Sequence, residues 1–188
     1  MDAPQGIFPI ETVSEEATKN YAANFGEYRT KFEEIRTSPY LAEFNFAKLL
    51  EAKRYQQIEQ VITYSDSVLQ WFFNGLLNLD SHQVDPLMIE IADLWKHYCH
   101  LLLITTRCQA AVYRAHLVYH QNNGFTANFV SYFMGNGRVQ RDVEMEQLAQ
   151  YSRAVEELNA ADNEVAAHFR ILQMTHSKNA QELTRKYS

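Results

Sequence analysis

Between Leu148 and Leu183 one set of positions recurs at alternating steps of three and four. It runs through Leu148, Tyr151, Val155, Leu158, Asp162, Val165, Phe169, Leu172, His176, Asn179 and Leu183, and eight of these eleven are apolar. Such spacing keeps to one face of an α-helix, and a stripe of this length requires a long helix covered along its side. It predicts a helix over 138–186, and three more segments read the same way.

Tyr21, Phe25, Tyr28, Phe32 and Ile35 mark a helix over 13–37, opened by the capping-box spacing of Thr12-Val13-Ser14-Glu15. Ser38-Pro39 supplies a cap and a first-turn proline for a second helix over 39–79. In its later part Tyr55, Ile58, Ile62, Ser65, Leu69, Phe72, Leu76 and Leu79 keep step. Leu41, Phe44, Lys48 and Glu51 do not, so a bend is expected near 46–54. Asp85-Pro86 opens a third helix over 86–122, and Asn122-Asn123-Gly124 stops it. One of its rows runs through Met88, Ile91, Trp95, Tyr98, Leu102, Thr105, Gln109 and Val112, and a second through Leu87, Leu94, Leu101, Cys108 and Ala115. A helix apolar on two sides is enclosed by neighbours, so this one is expected at the centre. A short aromatic helical turn is expected near 126–134.

Six glycines and four prolines in 188 residues, with 46% apolar and 13% aromatic content, argue against sandwiches, barrels and disordered chains. The fold expected is all-α: an elongated antiparallel bundle or coiled coil of four long helices, several-fold longer than the usual mean of roughly 11–12 residues. One domain over 12–188 follows an irregular arm at 1–11.

Seventeen Lys and Arg stand against 23 Asp and Glu, a net charge of −6. That field repels phosphate backbones and anionic lipid, so nucleic acid is not an expected partner and a membrane is disfavoured. The start Met1-Asp2-Ala3-Pro4-Gln5 lacks the basic and apolar regions of a secretory signal, and a cytoplasmic location is expected. Cys99 and Cys108 lie nine residues apart on one helix, on opposite faces, and cannot bridge each other, which fits a reducing compartment.

The joint at Ser38-Pro39 reads as a sharp kink that leaves helix one projecting. Its stripe of Tyr21, Phe25, Tyr28, Phe32 and Ile35 is then expected to be covered by a second copy in a two-fold dimer. The helix two–three tip, with Trp71, Phe72, Phe73, Leu76, Leu87 and Met88, and the aromatic turn, with Phe129 and Phe133, are candidate partner-binding patches. With the turns taken as mirror points, Ser65, His97, His100 and Asp162 fall at similar height, as a register-fixing polar layer or a ligand site. A weaker constellation is His116 and His120 one turn apart, with Glu144 brought near as a third metal ligand. No histidine follows a glutamate by three residues, so the di-iron Glu-x-x-His pair is absent.

These residues carry no catalytic or cofactor signature. The function expected is a non-enzymatic interaction or scaffolding module that works without a cofactor and binds another protein as well as a second copy of itself. Two alternatives stand beside it. One is a membrane-shaping or membrane-inserting protein, similar to BAR domains in shape alone; the other is a metal, haem or small-ligand binding bundle.

Overall fold

The structure is a computed structural model and describes residues 12–122 and 137–188, the side chains of 122 and 137–141 excepted. The described residues form six α-helices that pack together, with no strand among them: α1 Glu15–Arg36, α2 Pro39–Ala42, α3 Phe46–Glu51, α4 Tyr55–Leu77, α5 Pro86–Asn122 and α6 Gly137–Tyr187. The arm at 1–11 and the turn near 126–134 lie outside the described residues.

Local chemistry accounts for the ends. The Ser14 hydroxyl accepts from the Ala17 N–H at 3.2 Å, and Glu15 and Glu16 place negative charge on the first turn of α1. Asp85 does the same for α5, accepting from the Leu87 N–H at 2.9 Å just ahead of Pro86. The bend expected in the second helix is a complete break into α2, α3 and α4. Asn45 caps α3 by accepting from the Lys48 N–H at 3.0 Å. At the other end of α3, Lys53 takes a φ of 54°, the left-handed region. The Arg54 and Lys53 N–H groups then donate to the Leu49 and Leu50 carbonyls at 2.9 and 3.0 Å, a Schellman closure.

This break overturns the projecting helix. The reversal is spread over α2 and α3 and finished at Lys53, so α4 returns alongside α1. The Ser14 N–H donates to the Gln83 carbonyl at 2.8 Å, Tyr28 packs on Trp71, and Phe32 stacks on Phe72 with ring centroids 4.2 Å apart. Gly75 allows that approach, because a Cβ there would collide with the Tyr28 ring. Tyr21, Phe25 and Phe32 are therefore core residues of the chain itself, and Tyr28 and Ile35 pack against them. The stripe that argued for dimerisation is covered from within.

α5 lies at the centre, as its two apolar rows imply. Met88, Ile91, Trp95 and Cys99 join the core formed with α1 and α4, while the Leu87 and Leu94 side meets α6. Phe72, Leu76 and Met88, expected at an exposed tip, are at most 4% exposed, because α1 covers them. A second cluster of Leu50, Ile58, Ile62, Val112, Tyr113 and Ala154 closes the other end, with α3 as its cover.

Asp85, 1% exposed, ties three helices together. Its N–H donates to Thr18 Oγ1 of α1 at 3.0 Å, and its second carboxylate oxygen accepts from Tyr187 at 2.8 Å and from Lys186 of α6. Burial alone would raise its pKa, but the hydrogen bonds from Lys186, Leu87 and Tyr187 outweigh this and hold it below the ordinary aspartate value. The carboxylate thus stabilises the fold at neutral pH. Asp85→Ala removes the cap of α5 and the acceptor of Tyr187, while the half-exposed Lys186 ammonium returns to water; this should cost about 1–3 kcal/mol and lower Tm by roughly 3–10 °C in a calorimetric scan. A shift under about 2 °C would mean that the Asp85 junction does not help to hold the three helices together.

Candidate functional site

The layer expected from Ser65, His97, His100 and Asp162 does not assemble. His97 and His100 are exposed on α5, and Asp162 is exposed on α6 with no hydrogen-bond or ion-pair partner among the described residues. Partial burial raises the pKa of its carboxyl, but no histidine compensates. His97 meets His168 instead, ring centroids 4.5 Å apart, and His168 donates from Nε2 to the Leu94 carbonyl at 3.0 Å. The physical reason is register. Tyr151, seven residues beyond Glu144, stands against His116, with ring centroids 5.4 Å apart. A slip in the same direction carries Asp162 away from His100.

That register also dissolves the proposed metal set. His116 receives Tyr55, whose hydroxyl lies 2.9 Å from Nδ1, and the Nε2 atoms of His116 and His120 approach to 3.1 Å. Glu144 is half-buried elsewhere on α6, and no group of three His, Cys, Asp or Glu gathers among the described residues. Cys99 is inert by environment. Its thiol donates to the Leu69 carbonyl at 3.1 Å, and burial pushes its pKa up to about 12.

His176 lies between α6, α1 and α5. The Trp95 indole N–H donates to Nδ1 at 3.1 Å, and the Arg29 guanidinium lies 3.2 Å from Nε2. Both neighbours are N–H donors, and a neutral imidazole has one acceptor, so one contact alone is a hydrogen bond. A protonated ring would satisfy neither. Three residues on, Asn179 is 2% exposed and donates to the Leu87 carbonyl and to Glu90, at 3.3 and 2.7 Å.

Ser65 is drawn into a different place. It lines an open pocket of about 320 Å³ between α1, α2, α4 and α5, with Phe32, Arg36, Leu41, Phe44, Thr105 and Gln109 among the other walls. Arg36 donates to the Tyr98 hydroxyl at 2.6 Å. Arg36 carries no sequence signal of its own. Thr105 and Gln109 do, as polar interruptions of the row on α5 that otherwise faces the core.

The remaining tip residues divide. Phe73 and Leu87 are half-buried and Trp71 is 39% exposed, whereas Phe129 and Phe133 lie outside the described residues. No helix among the described residues is long and apolar enough to cross a membrane. Comparison with protein-family models, curated proteins and solved structures gives no match to this chain.

His97, His116, His120 and His176 are each held below the ordinary imidazole value of 6.5, burial being the first cause in every case. Neighbouring positive charge adds to it, from Arg29 at His176 and from Lys53 at His120. For such a base the unfolded chain binds more protons than the folded one. The contribution is therefore full above 6.5 and is lost as pH falls below that value and through the lower folded pKa. The melting midpoint should be lower at pH 5 than at pH 7.5, and His176→Gln should make the fall shallower. A wild-type midpoint that stays flat or rises on acidification would contradict this.

Proposed function

We propose that the chain is a non-enzymatic interaction module, an antiparallel helical bundle whose α6 presents its outer face to a helix of another protein. One observation carries this reading: Met145, Ile171 and Met174 are 66%, 55% and 75% exposed along one face of α6. Exposed Ala149, Ala160 and Ala167 fall between them at whole-turn spacings. The opposite face, through Ala154, Ala161 and Leu172, is buried in the bundle. Small side chains let a second helix approach closely, and methionine adapts its shape to the partner it meets. Side chains this exposed contribute little to the stability of the chain, which leaves them open to contact with a partner.

The rigid support for that face comes from α5, which holds α6 at His168, His176 and Asn179 and through the Asp85 junction. The tip expected from sequence supports the reading less well, since α1 takes most of its apolar surface.

A photoreactive benzoylphenylalanine in place of Met174, in the full chain and in the cells that express it, tests the proposal. Adducts should form with one protein. Its purified form should bind wild type at least roughly tenfold more tightly than an Ile171→Glu/Met174→Glu variant that keeps wild-type helicity and Tm. Equal binding by that variant would contradict the reading, as would labelling from position 174 no stronger than from exposed Gln173.

A further inference from the structure

The cavity behind α2 holds more polar capacity than the protein itself uses. Arg36 carries five N–H donors, and its hydrogen bond to Tyr98 engages one of its nitrogens. Its guanidinium carbon lies 6.0 Å from the Phe32 ring centre and 5.8 Å from that of Tyr98, so two aromatic faces steady it without neutralising it. Among the described residues no carboxylate pairs with it, in a chain with 23 acids and a net charge of −6. A half-buried cation so placed is a site for an anion.

Thr105 makes the same point independently. It is 8% exposed, and its hydroxyl is buried with no partner in the protein. The next residue shows what is ordinary for a helical threonine: the Thr106 hydroxyl donates back to the Leu102 carbonyl at 2.9 Å. Thr105 does not do so and lines the cavity instead. Ser65, facing it from α4, likewise has no side-chain partner among the described residues. Leu41, Phe44, Val68, Leu69 and Leu102 supply the apolar part of the wall, and Gln109 adds a further polar group. A partly apolar pocket with a few convergent polar groups is the pattern of a small-molecule site, and about 320 Å³ lies at the small end of that range.

We propose that this pocket binds a small monocarboxylate with an apolar tail. Arg36 takes the carboxylate, Thr105 and Ser65 hydrogen-bond to its oxygens, and Leu41, Phe44 and Leu102 enclose the tail. A single cation matches a single negative charge, and the acidic field of the whole chain disfavours anions of higher charge such as phosphate esters. The site lies apart from the outer face of α6 and stands or falls independently of it.

The test is calorimetric titration of the full chain with octanoate, 1-octanol and octylamine. Octanoate should bind at least roughly tenfold more tightly than octanol, and octylamine should not bind. Arg36→Gln should bring octanoate down to the octanol level, while Arg36→Lys should restore part of the difference. Ser65→Leu, which fills the cavity from a half-buried helical position, should abolish binding of both with Tm at or above wild type. Equal affinity for octanoate and octanol in wild type would leave an apolar hole with no anion site and overturn the proposal. So would octanoate binding that survives Arg36→Gln, or no octanoate binding at all.

Discussion

The stack of Phe32 on Phe72 is the contact on which the remaining packing depends. It places α1 along α4, and from there Phe25 reaches Trp95 and His176, bringing α1, α5 and α6 into one core. Truncating either ring would cost about 3–5 kcal/mol in a core this closely packed. The approach is possible because Gly75 leaves room for Tyr28, and it is held at the end by Asp85, where α1, α5 and α6 meet in one carboxylate. Apolar burial thus sets which helices touch, and the buried polar groups fix their registration.

Those polar groups fall into two kinds. Asp85 and Asn179 are matched within the protein and serve to lock the helices. Arg36 is matched only in part, through Tyr98, Thr105 and Ser65 have no partner among the described residues, and the three share one pocket. His176 lies between the kinds, with two donors competing for one acceptor, which makes it the position most sensitive to protonation. The locking groups run along the α5–α6 seam, apart from both proposed recognition sites, the pocket behind α2 and the outer face of α6.

The start of the third helix was legible to the residue, because Asp85-Pro86 marks it with strong local chemistry. The second helix was not, because α3 ends in a left-handed residue that is lysine, where glycine would have announced it. Missing that turn left α1 without a route back and made a covering partner seem necessary. The site residues show the same limit. Ser65, Thr105 and Gln109 stand out in sequence as polar members of apolar rows. Which helices face them depends on a register that a seven-residue slip between Glu144 and Tyr151 was enough to change.

Whether α1 packs within its own chain is decided most directly by nuclear Overhauser contacts between the Phe32 and Phe72 rings. The comparison is between a uniformly labelled sample and an equal mixture of labelled and unlabelled chains, refolded together and filtered for contacts between chains. The cross-peak should be present in the first and absent from the filtered spectrum of the second. A filtered cross-peak between Phe32 and Phe72 would show α1 lying on a second copy and would contradict the self-contained core.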